Sequence, residues 1–108
     1  MSSHIAKSDW DHVTDLAYEV ANSSSIDDQV LCASRREALL AFLRDLEKKY
    51  GEHPAIMATI GDFLEDEKAR REYYRRALRL ARLYGDQKEE AEILDSIAKL
   101  NEESQKSG

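Results

Sequence analysis

Tyr50-Gly51 recurs as Tyr84-Gly85, 34 residues further along the chain. At the same offset Leu39, Leu43, Leu46 and Tyr50 map onto Tyr73, Ala77, Leu80 and Tyr84. Steps of three and four place each set along one face of a helix. The glycine after each set supplies the left-handed residue at which helices commonly stop. A fixed offset with helical periodicity implies a repeated helical hairpin, a unit that buries its apolar face only against a neighbour. Stacks of this kind mostly serve protein recognition, so the sequence points to a class of activity without naming the partner.

At 108 residues the chain has the length of one domain with a modest core. No apolar run approaches the ~20 residues that span a bilayer, and the opening Met-Ser-Ser-His-Ile-Ala-Lys lacks the apolar stretch of a signal peptide. With Cys32 as its one cysteine the chain forms no internal disulfide. Together these features lead us to expect a cytoplasmic protein without a membrane span. The net charge of −6 argues against general nucleic-acid affinity. The charge is unevenly spread: −5 over residues 1–31, +3 over 32–85 and −4 over 86–108.

Five helices are expected, and no segment alternates with the period of a strand. The first spans about Ser8–Asn22, with Ser8 as N-cap, a stripe of Trp10, Val13, Ala17 and Val20, and a break at Ser23-Ser24-Ser25. The second runs from Ile26-Asp27 to Tyr50, with a kink or break at Ala33-Ser34-Arg35 left open, and stops at Gly51. The third opens at Pro54, whose missing N–H costs nothing in a first turn, and ends near Glu65-Asp66. The fourth, Asp66–Tyr84, carries Ala69, Tyr73, Ala77, Leu80 and Tyr84 on one face, widened by Tyr74, Leu78 and Ala81. The fifth, Gln87–Asn101, carries Ala91, Leu94, Ile97 and Ala98, with Ile93 and Leu100 alongside. Residues 1–101 form a single helical domain in this reading, and 102–108 a frayed polar tail.

The pattern Met57, Ile60-Gly61, Leu64 followed by Tyr74, Ala77-Leu78, Leu80 resembles a tetratricopeptide repeat over roughly residues 35–101. Gly61 matches the small residue of that family's A helix. Leu94, Ile97-Ala98 and Asn101 resemble a second A helix, with Asn101 in place of the usual aromatic. Leu40, Leu43 and Leu46 before His53-Pro54 resemble an earlier B helix. The connection between the paired helices is about three residues shorter than in the standard repeat, and Arg70 replaces a small residue. The resemblance implies an all-α fold of antiparallel helical hairpins stacked as a short right-handed solenoid. It also implies a concave face lined by A helices. On that face would lie Ala55, Ala58, Asp62 and Glu65 from the third helix and Glu92, Asp95, Lys99 and Glu102 from the fifth.

Catalytic chemistry has little support in the sequence. His4, His12 and His53 lie apart, and no metal-ligand spacing, phosphate-binding glycine loop or nucleophile elbow is present. Neither an enzyme nor a cofactor is expected. Cys32 reads as a buried structural residue, although Arg35 and Arg36 are spaced to face it. Two charged faces stand out. Arg71, Arg75, Arg79 and Arg82 fall on one side of the fourth helix, a ridge suited to carboxylates or phosphates. Pairs such as Glu67–Arg71 and Glu72–Arg76 equally describe an ordinary solvated face. The acidic face of Asp62, Glu65, Glu92, Asp95, Lys99 and Glu102 suits a basic protein.

The leading expectation is therefore a non-catalytic protein-interaction module, an immunity or antitoxin protein that neutralises one partner. A secretion chaperone or adaptor, or an RNA-binding regulator using the arginine ridge, is the alternative. A homodimer is compatible with the sequence. The order of these roles rests on size, charge and analogy.

Overall fold

A computed structural model of the chain describes residues 5–25 and 29–107. Every regular element among them is helical: α1 (Lys7–Ser25), α2 (Gln29–Tyr50), α3 (Pro54–Phe63), α4 (Glu67–Tyr84) and α5 (Gln87–Ser107). The contacts group these helices into two units, Met1–Gly51 and Glu52–Gly108, which are described separately below.

In the first unit α1 and α2 pair antiparallel. At one end the Tyr50 hydroxyl donates to Asp9 Oδ2 at 2.6 Å and accepts from the Ala6 N–H at 3.1 Å. Midway the His12 and Phe42 rings meet edge to face, 4.5 Å between centroids. At the other end Cys32 lies by the Val20 carbonyl. The tertiary contact to Tyr50 sets the start of α1. Ala6 holds the cap position, its carbonyl accepting from the Trp10 N–H, and Ser8 falls inside the first turn instead of capping it. Nor do the serines break α1. Ser23 is buried and its hydroxyl donates to the Glu19 carbonyl one turn back, at 2.8 Å, so the polar side chain is satisfied within the helix. Helix α2 is continuous through Ala33-Ser34-Arg35; its expected start at Ile26-Asp27 lies outside the described residues. Cys32 is buried, and Arg36 does face it, with Nη2 donating to Sγ at 3.5 Å.

The second unit is a three-helix meander in which α4 packs antiparallel to both α3 and α5, while α5 also touches α3. Each helix is capped by local chemistry. His53 Nδ1 accepts from the Ala55 N–H ahead of Pro54, Asp66 Oδ2 from the Ala69 N–H, and Asp86 Oδ1 from the Glu89 N–H. Asp66 thus caps α4 instead of belonging to it, and α3 ends at Phe63 because Leu64 is already extended. The core gathers Met57, Ala58, Tyr74, Ala77, Leu80, Ala81, Ile93 and Leu100.

The echo in the sequence is an echo in burial. Leu39, Leu40, Leu43 and Leu46 are buried in α2, as are Tyr74, Ala77 and Leu80 at the matching positions of α4, with Tyr73 half-buried. Gly51 and Gly85 both adopt positive φ, 77° and 69°, which β-carbon-bearing residues adopt at a cost. Tyr84, unlike Tyr50, is largely exposed.

Helix α5 runs through Ser107, past the end expected at Asn101; Ser104 Oγ reaches Glu67 there and Arg70 reaches Glu103. Its buried face is rotated from the expected one. Ile93 and Leu100 are buried and Ile97 half-buried, whereas Ala91, Leu94 and Ala98 are exposed. Large side chains gain more by burial than alanines do, and the Ile93–Ile97–Leu100 spacing outcompetes the alanine-containing stripe. Replacing Ile93 by Ala should therefore destabilise the fold by about 2–5 kcal/mol, while Leu94→Ala should shift it by less than about 0.5 kcal/mol. Paired denaturant titrations decide this, and the reverse ranking would restore the alanine stripe.

Gly61 marks the closest approach of α3 and α4. A β-carbon built on it would lie 2.8 Å from Tyr74 Cε1 and 3.1 Å from Cδ1. The Tyr74 ring is 1 % exposed and tied down at its hydroxyl, so it has little room to yield. Gly61→Ala should cost roughly 1–3 kcal/mol despite alanine's higher helix propensity, read as a lowered melting temperature. Unchanged melting would show that the ring moves aside freely.

Candidate functional site: two charged faces of the second unit

The end of α3 is closed by a polar network that the sequence did not reveal. The Tyr74 hydroxyl donates to Asp62 Oδ1 at 2.6 Å. Arg70 donates through Nε to the Gly61 carbonyl at 3.1 Å and through Nη2 to the Tyr74 oxygen at 3.3 Å, and its Nη1 lies 3.6 Å from Glu103. One guanidinium thereby satisfies a carbonyl left free where α3 stops and bridges α3, α4 and α5. Arg70, which departs from the small residue of the repeat pattern, has a structural task of its own.

Burial pushes the Tyr74 phenol up to about 12, reinforced by the hydrogen bond to Asp62. Asp62 is exposed over the residue as a whole, yet its carboxyl accepts from the hydroxyl of the buried Tyr74. That desolvation holds its pKa above the usual carboxylate range, against the lowering effect of Tyr74, Arg70 and Lys99. Glu89 is also held high, first by burial and then by the fields of Glu92, Asp86 and Asp62. Glu89 on α5 therefore feels the charge of Asp62 on α3.

The sequence-derived acidic residues separate into two groups. Asp62 feels the charge of Lys99, and Glu89 the charges of Asp62 and Glu92, so these four act on one another between α3 and one side of α5. At about 100° per residue, Asp95 and Glu102 instead point away from the buried Ile93–Leu100 stripe. Asp95 pairs with Lys99 at 3.1 Å, an exposed pair of little energetic weight. Glu65 is exposed in the connection between α3 and α4. Ala58, expected on the same face, is buried in the core, and Ala55 is half-buried. Glu89 was not anticipated, because it shares a side with Asp62 only once α5 is rotated onto its isoleucines.

The arginine ridge divides differently. Arg71 donates to Asn101 Oδ1 at 2.6 Å and approaches Glu67 at 3.4 Å, and Arg82 donates to Glu90 at 2.9 Å. Arg76 reaches Glu52 at 3.1 Å and lies over the Tyr73 ring. Arg75 and Arg79 are exposed and take no partner among the described residues. An open hollow at the start of α4, lined by Asp66, Lys68, Ala69, Arg71, Glu72 and Arg75, is a surface depression along one helix and encloses nothing.

Among the described residues no group of His, Cys, Asp and Glu is placed to hold a metal ion, and no helix is long and apolar enough to cross a membrane. No family model, curated protein or solved structure matches the chain.

The Asp62 geometry has a definite pH signature. An acid whose folded pKa lies above its unfolded one binds more protons when folded, so its contribution is most favourable below the unfolded pKa. That contribution is lost as pH rises through the folded pKa. Asp62→Asn keeps an acceptor for Tyr74 and removes the titration. The stability difference, variant minus wild type, should grow as pH rises from the ordinary carboxylate value upward. Urea titrations across mildly acidic to neutral pH measure it, and a flat difference would mean that solvent relieves the carboxylate fully.

Proposed function

We propose that this protein is a non-catalytic interaction module of the immunity or antitoxin kind, which engages a basic partner through the acidic side of its second unit. The observation that supports this reading most is the set of acids that α3 and α5 bring to one side of the unit. Glu89 feels the charges of Glu92 and Asp86 on its own helix and of Asp62 across from it, with Lys99 as a cation near Asp62, and burial raises the pKa of both Glu89 and Asp62. Cationic side chains brought there by a partner would relieve that repulsion, and such complementarity speeds encounter and rejects wrong partners. Asp95 and Glu102, on the outward face of α5, extend the negative potential that steers the approach. The repeated buried positions of α2 and α4 support the likeness to tetratricopeptide hairpins within each unit, an architecture suited to protein recognition.

Asp62 is a poor residue with which to test this, because reversing its charge would place a cation against Arg70 and Tyr74. Glu92→Lys combined with Glu102→Lys alters the exposed acids without touching the network. Immobilised protein should capture a basic partner from the source cell, and the double variant should associate with it at least about tenfold more slowly, with a shallower salt dependence. Arg75→Glu combined with Arg79→Glu should retain capture. Loss of capture in the arginine variant alone would sink the acidic-face reading. Co-expression separates the roles: an immunity protein abolishes its partner's activity, whereas a chaperone delivers the partner active.

A further inference from the structure

The seam between α4 and α5 has a charge arrangement that the acidic face does not use. Two cross-links fix its register, Arg71 to Asn101 and Arg82 to Glu90. From one pair to the other the number rises by eleven along α4 and falls by eleven along α5, as antiparallel helices require, which sets Leu94 level with Leu78. Leu78 is half-buried against the core, but Leu94 is 43 % exposed. On α4 Arg75 and Arg79 come three residues before and one residue after Leu78, exposed and without partners among the described residues. The seam is thus closed at both ends by internal bonds and open in the middle, where two free guanidinium groups flank a leucine.

The chain carries a face that complements it. Val13 and Val20 are the buried residues of α1's apolar stripe. Directly opposite, at i, i+4 and i+7, lie Asp11, Asp15 and Tyr18. All three are exposed, Tyr18 by 69 %. Among the described residues Asp11 pairs with Lys7 on the same exposed face, at 2.8 Å, a pair that gives way readily. Asp11 and Asp15 are one turn apart, as are Arg75 and Arg79, so two carboxylates meet two guanidinium groups in register. Tyr18, one turn further, supplies an aromatic ring for the apolar spot.

We propose that the α4–α5 seam around Leu94 receives the outer face of α1 from a second copy of this chain. The contact is heterologous, one face on the donor and a different one on the acceptor. It is also smaller than a standard stable interface, which makes the association weak and dependent on salt. Nucleic acid fits the seam less well: two free arginines on a chain of net charge −6 neutralise few phosphates, and an exposed leucine between them has no role against a phosphate backbone. This inference does not rest on the acidic-face reading and needs no outside partner to test.

Sedimentation equilibrium at low salt, up to about 1 mM protein, reads the outcome. Wild-type protein should rise above its monomer mass of 12.4 kDa with concentration and return to it at high salt. Arg75→Glu combined with Arg79→Glu, and separately Asp11→Lys combined with Asp15→Lys, should each stay monomeric while melting like wild type. Mixing the two variants in equal amounts should restore association, since each face of one is then complementary to a face of the other. Leu94→Ala should weaken wild-type association about tenfold. The Glu92→Lys, Glu102→Lys variant should still associate, which keeps this result separate from that of the acidic face. A wild-type chain that stays monomeric throughout would overturn the proposal, as would a mixture that fails to associate. So would single-stranded RNA binding that the arginine variant loses, which would assign the seam to nucleic acid.

Discussion

The second unit depends on one close approach, the face of the Tyr74 ring against the bare backbone of Gly61. Because no side chain intervenes, α3 comes near enough for the Tyr74 hydroxyl to reach Asp62 and for Arg70 to reach the Gly61 carbonyl. A buried phenol without an acceptor would cost a large part of what burying the ring gains. The glycine, the ring, the carboxylate and the guanidinium therefore form one device: removing the first opens the gap, and removing any of the others leaves a partner unsatisfied. Helix α5 joins through Glu103, whose carboxylate lies 3.6 Å from the Arg70 guanidinium.

The same device shapes the surface. Arg70 and Arg71 are consumed by internal contacts and Arg82 by Glu90, so the arginine-rich α4 presents far fewer free cations than its composition suggests. Asp62 is drawn partly inward, whereas Glu92, Asp95 and Glu102 of α5 stay exposed. The result is a unit with an unrelieved negative side and a small positive seam between ends that are already paired. Charge counted along the sequence cannot distinguish these faces, because it weighs a bonded arginine and a free one alike.

Much of the architecture is legible in the residues. The helical periods, the glycine stops after Tyr50 and Tyr84, and the proline opening of α3 are local signals, and the structure follows them. The close approach at Gly61 was legible too, through the small residue facing a large one. What escaped were features decided by distant parts of the chain. Helix α1 starts where Tyr50 holds Ala6, not where Ser8 invites a cap. Ser23 stays helical because its hydroxyl finds Glu19 in a buried setting. Asp62 reads as a plain exposed acid until Tyr74 is placed beneath it. The face of α5 was the one misreading with a usable signal: Ile93, Ile97 and Leu100 form a stripe of larger side chains than Ala91, Leu94 and Ala98, and area burial alone favours them.

The two units use the same chemical clasp with opposite electrostatic consequences. In each, a tyrosine hydroxyl donates to an aspartate at 2.6 Å and a cation stands beside the pair: Tyr50, Asp9 and Lys49 in the first, Tyr74, Asp62 and Arg70 in the second. Lys49 leads in holding Asp9 below the ordinary carboxylate range, with Tyr50 adding to it, and these hydrogen bonds outweigh the opposing desolvation. At Asp62 desolvation outweighs the same kind of partners and the pKa moves the other way. The depressed group stabilises its unit above the unfolded pKa and loses that contribution as pH falls through the folded value. The raised group is most favourable below the unfolded pKa and loses its contribution as pH rises. Their windows lie on opposite sides of the ordinary carboxylate value, so acid loosens the clasp of the first unit while the approach to neutrality taxes that of the second. The bonded residues are alike in kind, and what differs is the burial of the tyrosine under each carboxylate: Tyr74 is 1 % exposed, whereas Tyr50 is half-buried.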